Sequence, residues 1–292
     1  MEQAVVALGG NSLQPSGEKW TYQELLNNVK KTVQRLDTIF SNYTAVLTHG
    51  NGPMVGNLLL QQENSSQTPK MPLDILDSMT QGQLGYLLQN EIQNQFGKQV
   101  STVITRILVD QNDPAFKNPT KPIGPFYKKK ILKNMIKQMA GWRLVVPSPR
   151  PQKILEISQI KELIEKGFVT IACGGGGIPV IRKGNEISGV QGVIDKDYAS
   201  SLLAEQLDAK ILIFLTDVDF VYLDYGKKSQ KPLKKISPEE IKKLMPHFGE
   251  GSMKPKILAS VGFLEKGGRK VIITSFKNLN QALNGRAGTI IS

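Results

Sequence analysis

Cysteine is nearly missing from this chain: Cys173 is the only one in 292 residues, so no disulfide can form within it. Long apolar runs are missing too. Residues 211–215 form an uninterrupted apolar stretch far short of the ~20 residues a membrane-spanning helix needs, so no bilayer crossing is expected. Met1 runs directly into Ala4-Val5-Val6-Ala7-Leu8 without a basic region or a cleavage site, and no secretory signal is expected. Together these absences fit a protein of the reducing cytosol. Histidine is scarce, with His49 and His247 alone, and no zinc-binding spacing occurs. Acidic residues are in deficit: 25 against 37 basic ones, a net charge of +12. Such a balance suits nucleic acid, an anionic surface or an anionic small substrate. The lysines are scattered, with runs only at Lys128-Lys129-Lys130, Lys227-Lys228 and Lys234-Lys235, and no arginine-rich helix or aromatic RNA-binding signature goes with them. They read as solvated loop charge, with no nucleic-acid or membrane partner expected.

What is present is a core-forming chain. A hydrophobic fraction of 40% with 21% charge excludes disorder as a description of the whole. Short apolar runs alternate with amphipathic stretches, which predicts a mostly parallel sheet covered by helices. Strands are expected at 5–8, 45–48, 100–109, 168–172 and 211–215, with a final one at 271–274. Helices are expected behind Thr21-Tyr22-Gln23-Glu24, which has capping-box form, and at about 73–96, 158–166, after 197, behind Ser237-Pro238-Glu239-Glu240 and at 255–266. Lys183-Gly184-Asn185 marks a hairpin. Residues 110–151, rich in proline and lysine, break the alternation. They read as a lid subdomain, at 112–151, inserted in a single domain spanning 1–292.

Three glycine-rich turns each follow an expected strand: Gly9-Gly10-Asn11, Gly50-Asn51-Gly52 and Gly174-Gly175-Gly176-Gly177. Ligands of open α/β sheets bind at the carboxyl ends of strands, where glycine lets backbone N–H groups approach an anion. Three such turns point to a polyanionic ligand, although each alone is equally a tight turn. Neither Walker A spacing nor a complete G-x-G-x-x-G occurs. Phosphoryl transfer needs cations and N–H donors more than covalent help, so a lysine beside a glycine turn is the residue to look for. Lys196 in Val193-Ile194-Asp195-Lys196-Asp197, Lys256 near Gly251-Ser252-Met253 and Lys121 in Asn118-Pro119-Thr120-Lys121-Pro122 are the candidates. Each is otherwise a solvated surface lysine. His49 reads as an imidazole bonded to nearby backbone and Cys173 as a small buried hydrophobe.

These strings, with Thr48-His49-Gly50-Asn51-Gly52-Pro53, Pro122-Ile123-Gly124-Pro125-Phe126-Tyr127, Trp142-Arg143, Val145-Val146-Pro147-Ser148-Pro149, Leu215-Thr216-Asp217-Val218 and Gly285-Arg286-Ala287-Gly288-Thr289, resemble in order the carbamate kinase family of the amino acid kinase superfamily. The resemblance implies a three-layer αβα sandwich, a homodimer, and transfer of phosphoryl between ATP and carbamate with Mg²⁺, giving ADP and carbamoyl phosphate in arginine catabolism. Two other readings stand beside it: a relative phosphorylating a different small carboxylate or phosphate, and a non-catalytic binder of anions or nucleic acid. It further implies that Gly9, Gly10 and Asn11 surround the transferred phosphoryl and that Gly50, Asn51 and Gly52 hold the carbamate. Lys196 and Lys256 would bracket the phosphates, with Asp197 fixing the ammonium groups and Lys121 reaching in from the lid. Gly174, Gly175, Gly176, Gly177, Asp217 and Met253 would lie on the nucleotide side. Three departures from the family stand out: a short, basic stretch between Tyr127 and Gly141, Met54 where glutamine is common beside the carbamate site, and Lys254 where glycine is common.

Overall fold

Alternation along the strands decides the architecture. In the Glu2–Leu8 strand, Ala4, Val6 and Leu8 enter one apolar cluster while Val5 and Ala7 enter another, so both faces of the sheet are covered. The computed structural model describes residues 1–13, 15, 18, 21–130, 134–138, 141–248 and 253–292. Within them the main sheet has eight strands, ordered Lys235–Ile236, Thr289–Ile291, Lys270–Ser275, Ile211–Thr216, Glu2–Leu8, Tyr43–His49, Val169–Ile171 and Val100–Thr102. The six from Lys270–Ser275 onward are parallel, and Thr289–Ile291 runs antiparallel to Lys270–Ser275 and parallel to Lys235–Ile236.

Helices cover each face. Leu25, Val29 and Val33 of the Tyr22–Gln34 helix pack on one side with Leu84, Leu88 and Ile92 of the Leu73–Phe96 helix. Ile160 of Ile157–Glu165, Leu203 of Lys196–Gln206 and Ile257 of Met253–Glu265 pack on the other. The result is the expected αβα sandwich. Local chemistry sets the helix ends: Thr21 and Ser237 both make the reciprocal capping box with the glutamate three residues on. Gly97, at φ 62°, closes the Leu73–Phe96 helix. Among the described residues no helix is long and apolar enough to cross a membrane.

The structure departs from the sequence reading at two places. The single strand expected over 100–109 is two strands in different sheets, Val100–Thr102 in the main one and Arg106–Val109 in a four-stranded sheet with Glu186–Gly189, Ile178–Lys183 and Pro151–Ile154. The chain leaves the main ladder because the Gln81 side chain takes over at Thr105, accepting from its N–H at 2.8 Å and donating to its carbonyl at 3.2 Å. Nor is the strand at 270–275 the last, since Thr289–Ile291 adds to it, too short to show a period. The hairpin at 183–185 forms as expected.

The excursion is bounded by Arg106–Val109 and Pro151–Ile154, which pair antiparallel. Between them Lys121–Tyr127, Gly141–Val146 and Met135–Gln138 form a small antiparallel sheet with Gly141–Val146 in the middle. That sheet docks on the Gly52–Glu63 helix so closely that a Cβ at Gly56 would sit 2.6 Å from the Gly124 Cα. Residues 131–133 and 139–140 of the basic stretch lie outside the described residues.

Phe214 is fully buried in a central strand, so Phe214→Ala should lower unfolding free energy by about 3–5 kcal/mol, measured from urea midpoints, with the m-value unchanged.

Candidate active site

Parallel order brings the carboxyl ends of neighbouring strands into one row. Gly9-Gly10 leave the Glu2–Leu8 strand and Gly50-Asn51-Gly52 leave Tyr43–His49 beside it. The two turns touch: the Gly50 N–H donates to the Leu8 carbonyl at 3.3 Å, and a Cβ on Gly50 would lie 3.2 Å from the Gly10 Cα. Gly9 meets the Leu215 carbonyl of the strand on the other side, where a Cβ would come within 2.8 Å. Asn11 lies in the short Gly10–Leu13 helix, whose start is tied by the Ser12 hydroxyl donating to the Gly9 carbonyl at 2.6 Å.

Lys196 opens the Lys196–Gln206 helix, and its aliphatic chain passes Gly50, with Cδ 3.7 Å from where a Cβ would stand. Its ammonium donates to Asp197 Oδ1 at 2.7 Å, while Lys256 from the Met253–Glu265 helix donates to Asp197 Oδ2 at 2.9 Å. Asp197 and Lys256 are buried, 4% and 6% exposed, so these charges are largely withdrawn from water and held by one another. Burial by itself would raise the Asp197 carboxyl, but the two ammonium groups and their hydrogen bonds prevail and hold it at about 2. Burial, helped by Lys256 and opposed by Asp197, lowers the Lys196 ammonium from its ordinary value. The cluster continues outward: Asp195 caps the helix by accepting from the Asp197 N–H at 2.9 Å and accepts from Lys121 at 2.5 Å. Lys121, on the docked antiparallel sheet, thus reaches the same place from outside the main sheet. A hydroxyl relay anchors the assembly: Ser200 donates to the Lys196 carbonyl at 2.7 Å and pairs with Thr48 at 2.7 Å.

The third turn serves close approach. Gly174, Gly176 and Gly177 are buried and Gly175 is half-buried. A Cβ on Gly174 would stand 2.6 Å from His49 Nε2, one on Gly175 2.1 Å from Asn51 Nδ2, and one on Gly176 2.1 Å from the Ile194 carbonyl. Glycines 175 and 176 also have φ of 69° and 106°, which disfavours any side chain. This run therefore wedges the second turn against the Lys196 helix start. Asp217 is exposed just past the Ile211–Thr216 strand, and Met253 is half-buried at its helix start. Gly251 and Ser252 lie outside the described residues. Met54 points into the apolar core, 3% exposed, so it fills volume beneath the turn.

Three polar residues of the Leu73–Phe96 helix, Asp77, Thr80 and Gln81, escaped the sequence reading. Asn51, itself buried, gives one amide hydrogen to Asp77 Oδ1 at 2.9 Å and the other to Thr80 Oγ1 at 2.8 Å. Asp77, Thr80 and Gln81 are polar residues at helical spacing on the face that also buries Leu73, Leu76 and Leu84, a mismatch visible in the sequence. Burial, with Asp74 adding to it and the Asn51 bond opposing, pushes the Asp77 carboxyl up to about 7. His49 goes the other way, lowered to about 4 chiefly by burial, and its Nδ1 lies 3.3 Å from the Gly50 carbonyl. It is therefore a neutral, packed imidazole. Cys173 is buried with its thiol pushed up by burial, which removes it as a nucleophile.

The Asp77 shift carries a sign. Between the ordinary value of 3.8 and about 7 the folded chain keeps a proton that the unfolded chain has lost, so stability falls as pH rises through that window and the loss is complete above it. Asp77→Asn cannot titrate there. Its urea midpoint relative to the parent should therefore climb from about pH 4 to about pH 7 and then level off.

The amino acid kinase family model matches residues 2–275. Carbamate kinase of Thermoplasma acidophilum is 46% identical, the match covering 100% of this chain and 99% of that protein. The one from Thermococcus kodakarensis is 43% identical over 99% of this chain and 98% of its own. Among solved structures, carbamate kinase from Giardia lamblia bound to AMP-PNP superposes with a TM-score of 0.92 at 40% identity, covering 99% of this chain and 98% of that one. N-acetylglutamate synthase from Neisseria gonorrhoeae, at 15% identity and a TM-score of 0.64, shares the fold alone. By sequence and by architecture, along nearly its whole length, this chain belongs to the amino acid kinase family and is a phosphotransferase.

Proposed function

We propose that this enzyme transfers phosphoryl reversibly between ATP and carbamate, running toward ATP from ADP and carbamoyl phosphate in the cytosolic catabolism of arginine. The observation that carries the reading is the convergence of Lys196, Lys256 and their shared Asp197 with the touching Gly10 and Gly50 turns. Ammonium groups and backbone donors are what a loose, anionic transition state requires. Carbamate arrives already ionised, so its oxygen bonds to phosphorus as the bond to the ADP oxygen breaks, and no proton has to leave first. A site whose histidine is neutral and packed against glycine fits that requirement.

In this reading Lys196 and Lys256 follow the charge that develops on the phosphoryl oxygens. Asp197 keeps them aimed, since each ammonium has three donors and spends one on it. The docked antiparallel sheet acts as a lid and brings Lys121 to the acceptor side, with Asp195 holding it meanwhile. The backbones of Gly9, Gly10, Asn11, Gly50, Asn51 and Gly52 line the phosphoryl and carbamate positions, and Asp217 and Met253 border the nucleotide. Among the described residues no group of three or more His, Cys, Asp or Glu side chains gathers to hold a metal. The carboxylates of half-buried Asp195 and buried Asp197 are engaged by ammonium groups. That donor set fits Mg²⁺ carried in on nucleotide phosphates with its own waters, where it would offset phosphate charge.

A homodimer also belongs to this reading. Ile75, Met79 and Tyr86 form an exposed apolar stripe along the Leu73–Phe96 helix, a face suited to a second copy. Light scattering should give twice the chain mass of 32.2 kDa, and Tyr86→Lys should lower the value toward the single-chain 32.2 kDa.

Purified protein with ADP, carbamoyl phosphate and Mg²⁺ should form ATP, and none formed across a range of pH would overturn the proposal. Lys196→Ala and Lys256→Ala should each lower turnover at least about tenfold, more than about 1.4 kcal/mol, with circular dichroism showing the fold intact. Lys121→Ala should impair use of carbamoyl phosphate more than use of ADP.

A further inference from the structure

A buried carboxylate with an unpartnered oxygen is an expensive thing to keep, and Asp77 is one. Its Oδ1 accepts from Asn51, while Oδ2 is buried without a hydrogen-bond partner among the described residues. The residue is 1% exposed, on a helix face where Leu73, Leu76 and Leu84 are buried beside the hydrogen-bonded Thr80 and Gln81. An apolar residue there would suit the packing better, and breaches of local rules concentrate at working sites.

What Asp77 does is visible in its partner. Both amide hydrogens of Asn51 are committed, one to Asp77 and one to Thr80, whose own hydroxyl donates to the Asp77 carbonyl at 2.9 Å. The Asn51 amide is also pressed against Gly175, where a Cβ would meet Nδ2, Cγ and Oδ1 at 2.1, 2.4 and 2.6 Å. With its donors turned inward, the Asn51 side chain is a bracket joining the turn to the Leu73–Phe96 helix, and the turn offers the cleft its backbone. The Asn51 carbonyl in turn begins the Gly52–Glu63 helix by accepting from the Val55 N–H at 3.0 Å.

We propose that Asp77 is a positioning residue of this site: by holding the Asn51 amide against the Leu73–Phe96 helix, it sets where the Gly50-Asn51-Gly52 backbone presents itself to the phosphoryl acceptor. The claim that the acceptor lies there rests on the proposed function, whereas the claim that Asp77 fixes the turn does not. Thr80 alone cannot orient the amide, because one bond leaves it free to rotate about that contact. Asparagine at 77 would keep an acceptor oxygen in reach, but alanine would leave an amide hydrogen of Asn51 without a partner.

Hydrogen exchange on the full chain separates these statements. In Asp77→Ala the amides of residues 50–52, 54 and 55 should exchange about tenfold faster than in the parent while those of strands 2–8 and 211–216 keep their rates, and Asp77→Asn should restore most of the protection. In turnover of ADP and carbamoyl phosphate, Asp77→Ala should raise KM for carbamoyl phosphate about fivefold with KM for ADP little changed, and Asp77→Asn should recover most of the loss. Should Asp77→Ala fail to fold, Asp77→Ser, too short to reach Asn51, takes its place. Unchanged exchange at 50–55, an asparagine variant as loose as the alanine one, or a parallel rise in both KM values would overturn the proposal. If the parent forms no ATP at all, the functional reading falls, and the exchange rates still decide the role of Asp77.

Discussion

One carboxylate holds this site together. Asp197 receives two ammonium groups that arrive on different helices, in a place where neither lysine nor aspartate would be stable alone. Removing the carboxylate would leave two like charges facing each other out of water, and removing either lysine would leave the rest miscast. The same bond network fixes the start of the Lys196–Gln206 helix, through Asp195 as cap and Ser200 as brace. Charge placement and the start of the Lys196–Gln206 helix are therefore linked, since Asp197 both receives the ammonium groups and gives its N–H to the Asp195 cap.

Around that centre, absence of side chains does the positioning. The turns after the Glu2–Leu8, Tyr43–His49 and Val169–Ile171 strands nest closely: a Cβ would be crowded on Gly50 against Gly10 and has no room on Gly175 against Asn51 or on Gly176 against Ile194. Backbone donors are thereby carried to the row of strand ends where an anion can meet several at once. A second use of glycine lies outward, where Gly56 and Gly124 let the small antiparallel sheet sit directly on the Gly52–Glu63 helix and bring Lys121 to Asp195. Polar side chains are spent mostly on holding this geometry: Asn51, Asp77, Thr80 and Gln81 all bond inward.

Much of this was legible from the chain. The capping boxes at Thr21 and Ser237, the apolar runs at residues 4–8 and 211–215, and the three glycine turns could be read directly because each depends on neighbours in sequence. The break at Thr105 was not legible, since the group that ends the strand there is Gln81, from a helix well before it. Asp77 left a trace as a polar residue on an apolar stripe, but the partner that gives it meaning comes from a different loop.

The chain by itself determined the parallel sheet covered by helices and the turns at the strand ends, because periodicity, capping and glycine content act over a few residues; which lysines belong with those turns was implied by the family resemblance. The family resemblance already implied that Asp197 fixes the Lys196 and Lys256 ammonium groups, but only the folded molecule decided that Lys121 meets Asp195 and that the glycines of 174–177 serve as a wedge. Those facts depend on the distance between atoms far apart in sequence, which burial and close packing set and which no local pattern records.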